Sequence, residues 1–425
     1  MNKILYAFLF ISLAAFSFKL PPTGKKDKKA PAVITKTVKA RLDAALKSFV
    51  DSGRVAGASA LIFEKNQEVY HNAFGFADRE AKAPMDRNTI VRIYSMTKPV
   101  TGVALMKLYE KGAFQLDDPL SKYAPEFANM KVYKGVDASG NLILEPLKRP
   151  ITVRDITRHT AGFATTTDLP GLSELVQKAE LSNPNNTLEQ MVKKLASLPL
   201  LFQPGEQWNY GPSVDVQAYL VERLSGKPFA QYLQENIFTP LGMTNTRYVV
   251  PESDKSRFAA TYRKSENGQL TRVPDIDNLF NTKEFALTPG GWGLTSTLDD
   301  YMKFARMLVN KGTLGKARIL KPETVKLMAT NQLSDSVTQR MWLPSKGRVG
   351  FGIDFAVRLH PPVTKEENNG AVGEFFWDGA ASTLFWVDPV NDLTAVLFVQ
   401  VFPFEGQVHK RFRDAVYGPF KQNQP

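Results

Sequence analysis

The stretch from Arg92 to Gly112 reads RIYSMTKPVTGVALMKLYEKG, and it places Ser95 and Lys98 three residues apart where a strand-like run gives way to a helical one. Helix positions three apart lie on the same face, with Cβ atoms about 5 to 6 Å apart, so both side chains can reach the same small volume. A serine at a helix start also lies near free backbone N–H groups and the positive end of the helix dipole, which favour a developing negative charge. The pair is therefore a candidate nucleophile and base.

The chemistry of such a pair sets a demand on its surroundings. Serine is a poor nucleophile until a base takes its proton, and only a neutral lysine can act as that base. An ordinary lysine is neutral at pH 7 in about one molecule in 2,500, so catalysis predicts burial and a cationic neighbourhood around this one. A Ser-x-x-Lys match also arises by chance in long chains, as a helix cap beside a solvated lysine. The rest of the sequence must therefore supply the context.

Both ends of the chain carry strand patterns. A helical pattern over residues 37–50 is followed by two strand-like runs, 58–63 and 68–74, around a short polar turn. Near the other end, STLFWVDPVNDLTAVLFVQV gives two more strands around a turn, followed by a final helix over 408–417. These patterns predict an α/β (α+β) fold, in which an antiparallel sheet built from both chain ends carries helices on its faces.

The middle of the chain has a different pattern. Residues 125–280 are mostly helical in pattern, with proline and glycine punctuation, and they predict an inserted helical lobe. The α/β lobe then comprises residues 37–124 and 281–425, with a further helix over 297–310 that opens on a threonine cap. Binding sites tend to lie where two such lobes meet.

The first residues resemble a targeting segment. Lys3 precedes a mostly apolar run that is too short to span a bilayer comfortably, and a small-x-small site at Ala15–Ser17 predicts a signal peptide of residues 1–17. Residues 18–36 are then a basic flexible linker. The predicted location is periplasmic or secreted, and an uncleaved segment that tethers the chain to a membrane remains an alternative. The chain has no cysteine, which excludes disulfides and a lipid-modified cysteine.

The formal charge of +12 invites a nucleic-acid hypothesis. Six lysines and one aspartate up to residue 35 contribute +5 of this charge, and the remaining +7 is spread over the rest of the chain. No basic helix with interleaved aromatic residues is present, so we expect no nucleic-acid partner. The expected partner is a small-molecule acyl substrate, and the oligomeric state stays open.

Several further tracts occur in a fixed order around the Ser-x-x-Lys pair. They read ITVRDITRHTAGF, FQPGEQWNYG, PLGMTNTRY, GGWGLTSTLDDYMKF and WDGAASTLFWVDP. With these tracts the sequence resembles the serine β-lactamase and penicillin-binding protein superfamily, from about Val38 to Tyr417. Within it, the chain is most similar to the class C β-lactamase-related serine hydrolases and esterases. The resemblance implies a β-lactamase/transpeptidase-like fold and catalysis without a metal or cofactor.

The resemblance also implies roles for individual residues. Ser95 would be the acylated nucleophile and Lys98 its general base, while Tyr210 in the second motif would share the proton transfer. The third motif falls on Trp377-Asp378-Gly379, so the backbone N–H groups of Ser95 and Ala380 would form the oxyanion hole.

Two departures from the family pattern bear on the substrate. The second motif reads Tyr210-Gly211-Pro212 and lacks the asparagine amide that many relatives carry. Trp377 stands where lactamases and transpeptidases place a cation that can pair with a substrate carboxylate. Neutral acyl substrates, esters above all, are therefore expected. Trp377 and Gly379 are predicted to contact substrate, although Trp377 can also be a strand aromatic packed in the core. Trp292 either lines the pocket or packs a turn.

The histidines give weaker signals. His159, in TRHTAG, is interpreted as a hydrogen-bonded structural residue rather than a catalytic base, because Lys98 already supplies one. His71, His360 and His409 show no metal-ligand spacing, so no metal site is predicted.

Three hypotheses for function follow. The first is an exported serine hydrolase that forms an acyl-enzyme with small esters. The second is a D-alanyl carboxypeptidase or β-lactamase. The third is a catalytically inactive binding or regulatory homologue, which only the missing asparagine of the second motif supports.

Overall fold

The computed structural model describes residues 31–165 and 167–421. The predicted signal peptide and most of the predicted linker lie outside these residues. The last linker residues belong to the folded unit: the backbone N–H groups of Val33 and Ile34 donate to the buried Glu64 carboxylate at 2.8 and 3.1 Å. The Thr35 side chain caps the first helix.

Helices dominate the middle of the chain and flank the sheet. The helices of the described residues are α1 (Lys36–Asp51), α2 (Thr97–Glu110), α3 (Val153–Thr157), α4 (Ser173–Ala179), α5 (Leu188–Ala196), α6 (Ser213–Ser225), α7 (Phe229–Leu233), α8 (Thr239–Leu241), α9 (Leu298–Val309), α10 (Pro322–Met328) and α11 (Gly406–Tyr417). The helices predicted over 37–50, 297–310 and 408–417 are confirmed as α1, α9 and α11. None of the helices in this part of the chain has both the length and the apolarity that a membrane span needs.

The strands form one large antiparallel sheet and several small ones. They are β1 (Gly57–Glu64), β2 (Gln67–Asp78), β3 (Ala83–Pro84), β4 (Val91–Arg92), β5 (Lys131–Val136), β6 (Leu142–Pro146), β7 (Tyr262–Lys264), β8 (Leu270–Arg272), β9 (Thr295–Ser296), β10 (Thr313–Leu314), β11 (Ala317–Arg318), β12 (Val349–Phe351), β13 (Ala356–Arg358), β14 (Phe375–Asp378), β15 (Leu384–Asp388), β16 (Leu393–Phe398) and β17 (Val401–Phe402). The large sheet has the order β12-β13-β14-β15-β16-β1-β2-β3.

The two chain ends meet in the middle of this sheet, as the sequence predicts. Strand β1 pairs with β16 in antiparallel register from Ser59↔Phe398 to Glu64↔Leu393, and with β2 on its other side. Successive β1 residues are buried regardless of the face they occupy, which requires cover on both faces of the sheet. Helix α1 packs on β1 and β2 together with α11, and α9 packs on β1, β15 and β16.

The inserted segment contains more β-structure than its pattern predicted. Two hairpins, β5–β6 and β7–β8, interrupt the helices between residues 125 and 280. The first hairpin turns at Asp137, whose backbone N–H donates to the Asn141 carbonyl and whose carboxylate accepts from the backbone N–H groups of Ser139 and Asn141. Such an aspartate turn between alternating apolar residues is a hairpin signal, and here it outweighs the helical pattern around it.

Helix α2 carries the Ser-x-x-Lys pair into the interior. Eleven of its fourteen residues are buried, so it packs on every side rather than along one stripe. Helix α6 packs along it, and β4, just before it in the chain, pairs with β9. The start of α2 is therefore enclosed by elements from three separated parts of the sequence.

Candidate active site

Lys98 lies in the first turn of α2, and Ser95 lies in the short turn just before that helix. Lys98 Nζ is 3.3 Å from Ser95 Oγ, and it donates a second hydrogen bond of 2.6 Å to the carbonyl oxygen of Gly291. The lysine side chain is buried, with a relative exposure of 5% for the residue. One amine thus connects the predicted nucleophile to the glycine-rich loop that precedes β9.

The turn that presents Ser95 is held by contacts on several sides. Tyr94 has a left-handed backbone with φ of 46°, which is uncommon for a residue with a Cβ atom. The Tyr301 hydroxyl of α9 donates to the Met96 carbonyl at 2.7 Å, and the backbone N–H of Leu294 donates to Thr97 Oγ1 at 3.3 Å. These neighbours maintain a backbone conformation that costs free energy by itself.

The turn after β14 brings Ala380 to the same place. A Cβ atom on Gly379 would lie 2.5 Å from the Ile93 carbonyl oxygen, so glycine permits the close approach of this turn to the residues before Ser95. Ala380 and Ser95 line one cavity. Within residues 31–165 and 167–421, no acceptor contacts the Ala380 N–H, so it is available to a developing oxyanion. The predicted oxyanion hole is geometrically possible and remains a prediction.

The cavity has a volume of about 450 Å³ and lies between the two lobes. Its described lining contains two charged side chains, Lys98 and Asp215. The apolar part of the wall consists of Ala164, Val176, Leu181, Met191, Pro212, Leu287, Pro289 and Trp292. Trp292 therefore lines the cavity and also packs against Phe280, with ring centroids 4.5 Å apart. In the described part of the chain, no group of three or more His, Asp or Glu side chains could hold a metal ion.

Tyr210 presents its ring to the amine. Lys98 Nζ lies 4.4 Å from the ring centroid, which is a cation–π distance. The ring is enclosed by other aromatic side chains at centroid distances between 4.8 and 5.9 Å: His159, Trp208, Trp342 and Trp377. Tyr210 is thus next to Lys98, as the family resemblance implies.

Trp377 lies behind Tyr210 and not in the cavity. Its side chain is fully buried, and its Nε1–H donates to Tyr210 Oη at 3.4 Å. Phe351 packs edge-on against it at 5.3 Å. Neither Trp377 nor Gly379 lines the cavity, so the direct substrate contact predicted for both is not observed. Both residues instead lie behind the residues that form the cavity wall. A residue in the middle of a covered sheet has no face left for a ligand.

A cation does lie beside the third motif, although no sequence pattern predicts it. Lys346 forms a buried ion pair with Asp378, and its ammonium lies 6.0 Å from the Trp377 ring centroid. It comes from a turn that precedes β12, far from the motif in sequence. Because Asp378 neutralises it and it does not line the cavity, Lys346 is not placed to pair with a substrate carboxylate.

His159 is structural, but not in the way the sequence predicts. Its ring is fully buried, and neither ring nitrogen has a hydrogen-bond partner among the described residues. Its backbone is left-handed, with φ of 58°, and the ring packs against Tyr210 at 4.8 Å. Burial, and to a lesser degree the nearby Lys98, hold the pKa of His159 well below its ordinary 6.5. The expected hydrogen bond is therefore absent, and packing takes its place.

Two buried carboxyl groups near Lys98 were missed. Asp215 Oδ1 accepts a 2.9 Å hydrogen bond from the Gly291 N–H, and Asp354 Oδ1 accepts one of 3.0 Å from Gln217. Burial raises the pKa of both, while Lys98 lowers it. The neighbourhood of Lys98 is thus acidic and not cationic, contrary to the expectation from its predicted role. Asp215 could have been found from its position five residues after Tyr210, in the first turn of a helix.

The Trp377 contact predicts a specific effect on catalysis. Trp377→Phe removes the hydrogen bond to Tyr210, and we expect kcat for an ester to fall about 3- to 10-fold. The matched control is Trp386→Phe: Trp386 is equally buried on the adjacent strand, and its Nε1–H donates to Tyr417 Oη at 2.9 Å. Both variants should lose similar stability in urea. An equal loss of kcat in both would contradict a specific role for Trp377.

The buried histidine predicts a pH dependence of stability. In the unfolded chain His159 regains its ordinary pKa of 6.5, so the unfolded state binds more protons below that pH and the free energy of unfolding falls as pH falls. His159→Asn tolerates the left-handed backbone and does not titrate. Between about pH 6.5 and 5, the slope of the free energy of unfolding against pH should therefore be shallower in His159→Asn than in the wild type, by up to about 1.4 kcal/mol per pH unit.

Urea titrations across this range measure that slope. His360→Asn is the control, since His360 is exposed and its replacement should leave the slope unchanged. A slope that is the same in the His159 and His360 variants would refute the interpretation.

Comparisons with known proteins identify the family of the chain. The model of the Beta-lactamase family matches residues 42–417. Protein Rv1367c of Mycobacterium tuberculosis is 33% identical over 85% of this chain and 89% of its own length. Esterase EstB of Burkholderia gladioli is 31% identical over 89% of this chain and 95% of its own length. The structure of EstCE1, a hydrolase with promiscuous acyltransferase activity, superposes with a TM-score of 0.72 and 26% identity, over 90% of this chain and 99% of EstCE1. The chain therefore belongs to the β-lactamase family, and within that family it is a serine hydrolase.

Proposed function

We propose that the protein hydrolyses small neutral esters through an acyl-enzyme on Ser95. The observation that carries the proposal is the 3.3 Å contact between Lys98 Nζ and Ser95 Oγ, at the wall of a cavity with a largely apolar lining. Relatives named as esterase and hydrolase support the same reaction class. An intact Ser95–Lys98 pair in a cavity wall also argues against the inactive homologue.

The geometry supports a two-step reaction. Lys98 takes the proton as Ser95 Oγ forms a bond to the ester carbonyl carbon, and the Ser95 and Ala380 N–H groups stabilise the oxyanion. The carbon–oxygen bond to the alcohol then breaks, and the alcohol leaves with a proton delivered through Lys98 and Tyr210. Water attacks the acyl-enzyme in the second step, which releases the carboxylic acid and restores the serine.

The electrostatics of the cavity favour neutral substrates over β-lactams. Lys98 is the one basic side chain in the described lining, and its amine already contacts the Gly291 carbonyl, Ser95 Oγ and the Tyr210 ring. Lys346 is held by Asp378 away from the cavity. The carboxylate of a β-lactam or a D-alanyl peptide would therefore enter without a free cationic partner, beside the carboxyl group of Asp215.

Export is part of the proposal and rests on the N-terminal sequence. Lys3, the short apolar run and the small-x-small site at Ala15–Ser17 support a location in the periplasm or outside the cell. Hydrolysis of esters would then take place in that compartment.

Active-site labelling tests the nucleophile. A fluorophosphonate probe should label the wild-type protein and fail on Ser95→Ala, which should also lose ester turnover by about 10³-fold or more. Ser182→Ala is the matched control, because Ser182 lines the same cavity and has no lysine contact among the described residues. It should keep the label. Labelling that persists in Ser95→Ala and disappears in Ser182→Ala would refute the assignment.

A substrate panel tests the ester preference. p-Nitrophenyl esters of increasing acyl length should turn over with kcat/KM values that rise while the acyl chain fills the apolar wall. Nitrocefin, measured beside them, should react at least about 10²-fold more slowly. This factor corresponds to the loss of about 3 kcal/mol, the contribution of a charge pair to the substrate carboxylate. Rapid nitrocefin hydrolysis with slow ester hydrolysis would favour the β-lactamase hypothesis instead.

A further inference from the structure

Gly291 connects a buried carboxyl group to the amine of the site. Its N–H donates to Asp215 Oδ1 at 2.9 Å, and its carbonyl accepts from Lys98 Nζ at 2.6 Å. A Cβ atom on Gly291 would lie 3.1 Å from an Asp215 carboxyl oxygen and 3.3 Å from Lys98 Nζ. These distances are tighter than ordinary van der Waals contact, so a side chain at this position would press on both groups.

Asp215 has no cation of its own to account for its burial. Within the described part of the chain, no Lys or Arg forms an ion pair with Asp215, whose residue exposure is 8%. The groups that favour its charged form are Lys98 and the backbone N–H groups around Gly290 and Gly291. Burying a carboxyl group without an ion-pair partner costs free energy. That burial is explained if the carboxyl group holds the Gly291 loop in position.

We propose that Asp215 is a positioning residue for Lys98, acting through the backbone of Gly291 in place of the side-chain amide that the second motif lacks. The inference rests on the proposed function, because it assigns Lys98 the task of moving the Ser95 proton. Helix α6 brings Asp215 to the loop five residues after Tyr210, and the loop carbonyl holds Nζ at 3.3 Å from Ser95 Oγ. A misplacement of about 1 Å at such a contact costs about 10²-fold in rate.

Two substitutions of Asp215 separate position from charge. Asp215→Asn keeps an oxygen that can accept from the Gly291 N–H, whereas Asp215→Ala removes it. We expect Asp215→Ala to lower kcat for the preferred ester and the rate of fluorophosphonate labelling by about 10²-fold each, with KM within about threefold. Asp215→Asn should retain both rates within about tenfold of wild type.

The matched control is Asp300→Ala. Asp300 is a buried aspartate in the first turn of α9, and it does not line the cavity. Its carboxylate accepts a hydrogen bond of 2.6 Å from the Asn245 N–H. Its loss should lower the urea midpoint as much as Asp215→Ala and leave kcat unchanged. If Asp215→Ala keeps wild-type kcat, or if Asp215→Asn is as slow as Asp215→Ala, the positioning role is wrong. Gly291→Ala, which places a methyl group between the two side chains, should be as slow as Asp215→Ala.

The labelling rate keeps this test separate from the proposed function. A wild-type protein that reacts with fluorophosphonate but turns over no ester would refute the ester proposal, and the Asp215 variants would still be ranked by their labelling rates. Equal labelling rates in wild type, Asp215→Ala and Asp215→Asn would refute the positioning role even if ester turnover is rapid.

Discussion

The pairing of β1 with β16 is the constraint on which the arrangement of the molecule depends. It joins residues 59–64 to residues 393–398, so the chain between them leaves the sheet after β3 and returns to it at β12. One departure is the buried helix α2, and the return passes through β14 and its turn. Ser95 and Ala380 therefore lie close together because strands from both ends of the chain pair in one sheet, although the two residues are far apart in sequence.

Desolvation sets the character of the site. The interior holds one amine, two carboxyl groups and an imidazole within a small region, and none of these residues is more than 8% exposed. Burial raises the pKa of both carboxyl groups and lowers the pKa of the imidazole, while Lys98 lowers the pKa of the carboxyl groups. Backbone groups stabilise both kinds of side chain. At Gly291 the carbonyl accepts a hydrogen bond from the Lys98 amine and the N–H donates one to the Asp215 carboxyl group.

The sequence predicted the sheet, the flanking helices and the Ser95–Lys98 contact because periodicity and short-range spacing determine those features. It did not predict Asp215, since a single aspartate in the first turn of a helix is an ordinary helix-start residue until the Gly291 loop is placed against it. Lys346 was hidden for the same reason, as its partner Asp378 is distant in the chain. For Trp377 the alternative of a strand aromatic is confirmed and not the predicted substrate contact, and only the fold shows that its indole faces Tyr210.

The aromatic enclosure of Tyr210 has a spectroscopic consequence. The chain has five tryptophans: Trp208, Trp342 and Trp377 surround that ring, and Trp292 lines the cavity. Only Trp386 packs elsewhere, against Tyr417 and Phe412. Four of the five indoles therefore lie around the Tyr210 ring or in the cavity wall, so the intrinsic tryptophan emission is expected to respond when the cavity is occupied.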